Sequence, residues 1–385
     1  MHVAIVNHTF AETDGQGLVN LRVAEQLVDR GHEVTLIGDG VQELFAQNPA
    51  VTWRETRPPG LPTTAARHLV FARQVHRAVR ELAGRYDVLH LNGGQAPGLC
   101  ADVNACHFLH APWLRSQHHP RHGGGLRGLY QSAWTQLNVR RERQAYEEAG
   151  RVVAVSSLVR DQLVEDVGLD SARITVIANA SDPVPQVSRT DARRRLLDLG
   201  GWNDDPFVIM FAGEAKGRRK NLDVNLRALS QLPGHFRLVV AGAYEPGPYP
   251  AEVEQAGLSD RVAFLGHRKD VRELYAGADV FAFCSHYDPF ALVIVEAMSA
   301  GLPTATTRTT GASTVVAESG GLVLETPDDD RCLASWLVRL ADDKAMWQDL
   351  SQRSRVVAAS RTWAVAGDAY EAVYQEAARR RRGAA

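Results

Sequence analysis

Short β-rich runs alternate with helix-length amphipathic stretches from one end of the chain to the other, and this rhythm constrains the fold more than any single residue does. Alternation of that kind builds parallel sheets covered by helices on both faces, an α/β class. In the first half the predicted strands are His2 to Asn7, Glu33 to Ile37, Val88 to Leu91, Val103 to Phe108, Val152 to Val155 and Ile174 to Ile177. Helices are predicted between them, among them Leu18 to Arg30, Ala65 to Gly84, Gly128 to Glu148 and Leu158 to Val167. The series restarts at Phe207 to Ala212 and runs through Phe236 to Ala241, Val262 to Leu265, Val280 to Phe283, Thr304 to Thr306 and Gly321 to Val323. A turn-rich segment with two prolines, Asn179-Ala180-Ser181-Asp182-Pro183-Val184-Pro185, separates the two series and is the predicted hinge. The predicted domains are residues 1–182 and 183–362, with the last helix, 363–385, a candidate for packing back onto the first.

A chain of 385 residues with 45% hydrophobic content can bury two cores of ordinary size. Its net charge of -2 supplies no whole-molecule field for nucleic acid, and basic residues are dispersed among acids without an aromatic platform. Any anion site must be local. The four cysteines, Cys100, Cys106, Cys284 and Cys332, lack regular spacing and read as reduced thiols of a cytoplasmic protein. Met1 leads straight into a strand-like run, so no leader is expected, and no run reaches eighteen apolar residues.

Ligands of open parallel sheets bind beyond the carboxyl ends of the strands, so the informative residues follow strands. After the first strand comes a loop, Asp14-Gly15-Gln16-Gly17, whose N–H groups are placed to meet a phosphate or a sugar hydroxyl. It is not a dinucleotide fingerprint: about seven residues precede its first glycine, and Asn20 stands in the third glycine's place. The first strand of the second series leads through Gly213 to Arg218-Arg219-Lys220-Asn221 at a helix start. Cations there are mildly unfavourable unless an anion compensates them, and a diphosphate needs such cations. A solvated charge run is the alternative.

The stretch Cys284 to Met298 carries two carboxylates eight residues apart. Asp288 followed by Pro289 reads as a helix start, with Asp288 as its cap. Glu296 would then lie about 12 Å further along the axis, too far for an acid/base pair. Its neighbours Leu292 to Met298 are apolar nearly all round, so the glutamate is predicted buried. A buried glutamate is costly without partners. Binding of ligand hydroxyls is one resolution, and an internal salt bridge is the other.

At these residues the sequence resembles the retaining glycosyltransferases of GT-B fold known as family four, particularly the lipopolysaccharide core glucosyltransferase type. The similarity covers almost the whole chain and is densest from Phe264-Leu265-Gly266-His267-Arg268 through Ala278-Asp279 to Glu296-Ala297-Met298-Ser299-Ala300-Gly301. Family members carry two glutamates eight apart here; in this chain Asp288 takes the first place. The resemblance implies two Rossmann-like, doubly wound parallel-sheet domains facing across a cleft. It implies that Arg219 and Lys220 clasp the donor diphosphate and Glu296 the ribose. Asp288 and the Phe290, Ala291 and Leu292 backbone would take the donor sugar, with His267 and Arg268 near the base. Gly15, Gln16 and Gly17 match the family's glycine loop, and either His107 or His110 takes the place of a histidine near the reacting sugar.

The implied reaction moves a hexosyl group from a nucleoside diphosphate sugar to an acceptor hydroxyl with retained configuration, in cell-envelope polysaccharide, glycolipid or other glycoconjugate synthesis. A sugar-nucleotide epimerase or a non-catalytic sugar-nucleotide-binding module are the alternatives. No cofactor or metal is implied: Asp328-Asp329-Asp330 lies in a Pro-preceded loop, and the histidines from His107 to His122 form no regular ligand set. The expected partners are the nucleotide sugar and a carbohydrate or glycolipid acceptor. Basic and apolar residues from Arg67 to Leu129 add a possible peripheral contact with the inner face of the membrane. The oligomeric state is open.

Overall fold

In a computed structural model of the chain the described residues are 1–12, 14–58, 60, 63–182, 184–185 and 187–383. Pro183, within the predicted hinge and at the start of the predicted second domain, lies outside them. The chain forms two compact units, Met1–Ala180 together with Trp363–Ala385, and Ser181–Thr362.

The first unit contains β1 (His2–Val6), β2 (Thr9–Phe10), β3 (Glu33–Gly38), β4 (Gly40–Val41), β5 (Val51–Glu55), β6 (Val88–Asn92), β7 (Val103–Cys106), β8 (Arg151–Ala154) and β9 (Ile174–Val176). Seven of these make one parallel sheet in the order β5-β3-β1-β6-β7-β8-β9, and β2 pairs with β4 as a separate ribbon. Val3 to Val6 and all of β6 are buried, as strands covered on both faces must be. β1 pairs β3 on one side (Val3 with Val34) and β6 on the other (Val3 with Val88), which makes it the point where strand order reverses.

The helix Trp363–Gly383 belongs to this unit. It packs on the helix Gly15–Asp29 and on β6 and β7. Arg30 pairs with Asp368 at 2.6 Å, Arg151 with Glu376 at 2.7 Å and Arg381 with Asp102 at 2.8 Å. The Tyr374 hydroxyl lies 2.7 Å from Nδ1 of buried His90.

The second unit holds β10 (Phe207–Ala212), β11 (Phe236–Ala241), β12 (Val262–Gly266), β13 (Val280–Ala282), β14 (Thr304–Thr307) and β15 (Leu322–Leu324), parallel in the order β12-β11-β10-β13-β14-β15. β10 pairs both β11 and β13, so order reverses at the first strand here as well. Phe211, Phe281 and Phe283 stack through the core beneath the carboxyl edge. At that edge Gly242 is needed for close approach: a Cβ there would stand 2.0 Å from the Gly213 carbonyl oxygen.

Two expectations are corrected. The helix carrying Glu296 spans Leu292–Ser299, so Asp288 and Pro289 do not start it. Residues 288–290 instead bond to the following loop: Asp288 N–H donates to Thr309, Gly311 N–H to the Asp288 carbonyl, and Ala312 N–H to that of Phe290. The helical rise between the two carboxylates therefore does not apply. Gly15, Gln16 and Gly17 are not a loop either, because they form the first turn of the helix Gly15–Asp29, capped by Asp14.

Candidate functional site

In the second unit, β10 ends at Ala212 and leads through Gly213 to a 3-10 turn, Arg218–Lys220, which Asn221 closes in the left-handed region at φ 53. The Asn221 amide fixes this turn by donating to the carbonyls of Cys284 (2.8 Å) and Pro327 (2.7 Å). The three cations of the turn then diverge. Arg218 is neutralised by Asp223 and Glu252, and Tyr249 donates to Asp223 at 2.7 Å. Arg219 donates to the Tyr287 carbonyl at 3.2 Å, while its own carbonyl accepts from His286 N–H at 3.0 Å. Lys220 is nearly buried, lies 5.2 Å over the Phe283 ring and pairs with Asp288.

Asp288 is held at both oxygens, by Lys220 and by the N–H of Phe290 at 3.1 Å. Burial opposes its ionisation, but the charges of Lys220 and Arg219 prevail and hold the carboxyl below its ordinary value. Ala291 follows at φ 69, a strained left-handed conformation for a residue with a Cβ. Both non-glycine residues with positive φ among the described residues, Asn221 and Ala291, thus stand at helix starts on this edge. No side chain caps the helix Leu292–Ser299, which leaves its first-turn N–H groups for a ligand.

Glu296 is buried as predicted, but it has partners. Its Oε1 lies 3.4 Å from Nη2 of Arg272 and its Oε2 3.5 Å from the Tyr275 hydroxyl; Arg272 also pairs with Asp182 at 3.1 Å. Burial still raises the glutamate pKa. The long contacts and the shared arginine leave it incompletely compensated. Arg268 is committed to Asp270 through two bonds of 2.7 Å, and His267 is exposed beyond Gly266.

In the first unit, Asp14 accepts from Gly17 N–H at 2.7 Å and from the Thr9 hydroxyl at 2.6 Å. A Cβ on Gly17 would stand 2.7 Å from that hydroxyl, so the glycine serves close packing. Gln16 and Gln95 both donate to the Asn7 side chain, at 2.8 and 3.0 Å, and Asn92 donates to Asn20 at 2.9 Å. Sequence reading passed over this amide network, although Asn7 and Asn92 each stand at the carboxyl end of an apolar strand.

The two candidate histidines differ. His110 is fixed by Glu142, which accepts from its N–H at 2.9 Å and lies 2.6 Å from its Nδ1. His107 follows β7, and its buried Nε2 has no partner; burial lowers its pKa to about 4, so the ring is neutral at pH 7.

Each unit is a doubly wound parallel sheet with helices on its faces, and two of them in one chain make the GT-B fold. WaaG, a glycosyltransferase involved in lipopolysaccharide biosynthesis, superposes with a TM-score of 0.77 at 20% identity, over 96% of this chain and 98% of its own. Anabaena HepE in complex with UDP-glucose superposes at 0.72 with 21% identity over 100% of both chains. Residues 13–184 match Glycosyltransferase Family 4 and residues 206–343 match the Glycosyl transferases group 1. A D-inositol 3-phosphate glycosyltransferase of Xylanimonas cellulosilytica is 31% identical over 333 residues, 81% of this chain and 76% of the relative. The chain belongs to glycosyltransferase family 4. It is an enzyme of the retaining hexosyltransferase class, in a family that uses nucleotide-sugar donors.

Proposed function

We propose that the second unit holds the nucleoside diphosphate of the donor sugar at Arg219 and Lys220, and that the chain passes the hexosyl group to an acceptor hydroxyl with retained configuration. The observation that carries this is the pairing of half-buried Lys220 with buried Asp288, backed by Arg219, at the start of an uncapped helix. Departure of the diphosphate develops negative charge, and fixed cations with helix N–H dipoles stabilise that charge more in the transition state than in the ground state. Asp288 orients Lys220 and offers an acceptor to a sugar hydroxyl, as the Ala291 and Leu292 backbone offers donors; Phe290 contributes by giving its own N–H to Asp288. Glu296 accepts from the ribose. The base lies by His267, with Arg268 held beside it by Asp270. His107, with its free Nε2, is the histidine assigned to the reacting sugar, and His110 is assigned to positioning. Gly15 and Gly213 let chain and ligand approach closely, Gly17 lets the helix start pack on Thr9, and Gln16 is held there by Asn7.

A divalent ion has no part in this reading, since the two side-chain cations supply the positive charge. The acceptor is a carbohydrate or glycolipid of envelope or glycoconjugate synthesis. Contact with the cytoplasmic face of a membrane is proposed through the helix Gly125–Glu147, which exposes Leu126, Leu129 and Tyr130.

The test is a thermal-shift screen of UDP-, GDP- and ADP-sugars, followed by proton NMR of the product anomer. UDP-glucose, which HepE binds, is the first donor to try. A stabilising donor transferred with retention is expected. Inverted product, or a changed donor sugar without acceptor, contradicts the reading.

A further inference from the structure

Arg141 lies in the helix Gly125–Glu147 of the first unit and is only 8% exposed. Its Nη1 is buried without a partner, and among the described residues no carboxylate pairs with its guanidinium. The adjacent acid, Glu142, is taken up by His110. A buried cation left without a counter-charge is expensive, and a bound anion would supply one. The groups around Arg141 suit the same ligand. His8, one residue beyond Asn7 at the edge of β1, packs edge-on against His68 with ring centroids 4.8 Å apart. His8 Nε2 is itself buried and unpartnered, as is Oε1 of Gln95, whose amide donates to Asn7. Phe71 and Trp134 wall the two imidazoles at 4.0 and 5.2 Å. Burial is the main cause that lowers both histidines to about 4; Arg141 acts in the same sense on each, while Asp39 and Asp14 pull His8 the other way, so at pH 7 both are neutral hydrogen-bonding groups and Arg141 carries the charge.

We propose that Arg141, with His8 and His68, forms an anion subsite in the first unit that takes a phosphate or carboxylate group carried by the acceptor. The inference rests on the glycosyltransferase reading above for the word acceptor; the anion site itself stands on the geometry of the first unit. Its chemistry is distinct from that of Arg219 and Lys220, which are assigned to the donor.

The experiment titrates inorganic phosphate into the full-length chain saturated with the nucleoside diphosphate selected by the donor screen, so that the diphosphate site is filled. Calorimetry and the imidazole proton signals of His8 and His68 report binding. The parent chain is expected to bind phosphate at millimolar concentration with both histidine signals shifting. Arg141→Gln should weaken this by roughly ten- to a hundred-fold, the range of charge-assisted hydrogen bonds, while its nucleotide affinity stays within about two-fold. Arg141→Lys, which keeps the charge, serves if the glutamine variant does not fold, and should retain most of the affinity. In turnover, phosphate should compete with acceptor and not with donor. Equal phosphate affinity in Arg141→Gln overturns the proposal, and so does the absence of any shift at His8 and His68. Competition against donor assigns the anion to the diphosphate site and also overturns it. Loss of all transfer with phosphate binding intact would sink the enzymatic reading instead.

Discussion

Glu296 carries a charge that the fold only partly compensates, since burial raises its pKa against the pull of Arg272 and Tyr275. The sign of the resulting pH dependence follows. A carboxyl raised in the folded state binds its proton more tightly there than in the unfolded chain, so its contribution becomes unfavourable as pH rises above about 4.3, the unfolded value. Glu296→Gln removes that contribution, and Arg272 keeps Asp182. The variant is expected to unfold in urea at pH 7 within about 1 kcal/mol of the parent, and to bind the donor on the order of ten-fold more weakly through loss of the ribose acceptor. A large loss of stability with unchanged donor affinity would make Glu296 a structural ion-pair member. Its burial was legible in the run Leu292 to Met298; its partners were not, because Arg272 and Tyr275 come from a different helix. Arg141 was illegible for a related reason. Within Arg140-Arg141-Glu142-Arg143 it reads as a solvated helix face, and only the packing of the first unit puts it inside.

Among the elements, the helix Gly125–Glu147 turns apolar side chains outward: Leu126 is 87% and Leu129 69% exposed, with Tyr130 and Leu137 on the same face. Residues 103–141 contain no aspartate or glutamate, while Arg115, Arg121, Arg127 and Arg140 are exposed within them. An apolar stripe in a basic surround suits anionic lipid. The chain should therefore pellet with phosphatidylglycerol-containing vesicles at low salt and release as salt screens the charge. Replacing Leu126 and Leu129 together by glutamate should weaken pelleting at least ten-fold. Vesicle binding that ignores both changes, or none at low salt, contradicts a membrane role for this helix. Central strands such as β1, β6 and β10 were legible because each is buried on both faces and reads as an apolar run. β5, Val-Thr-Trp-Arg-Glu, was missed because it lies at the sheet edge with polar residues exposed, and β2 and β4 because two residues carry no periodicity. The start of the helix at Leu292 was misplaced because the Asp-Pro signal is local, whereas bonds to the 309–312 loop claim that backbone.

At the scale of the molecule, a net charge of -2 leaves anion binding to local clusters, and the two argued for lie in separate units. The cations proposed for the donor follow the first strand of the second sheet, whereas Arg141 and His68 stand on helices beside His8, which follows the first strand of the first sheet. In this transferase the donor diphosphate is proposed to be held by side-chain cations. Calorimetric titration of the screened nucleoside diphosphate, in EDTA, against the parent and Lys220→Ala tests this directly. Tight binding by the parent in EDTA, weakened at least ten-fold in the variant, is the predicted result; equal affinity of the two proteins, or parental binding that requires a divalent ion, would contradict it.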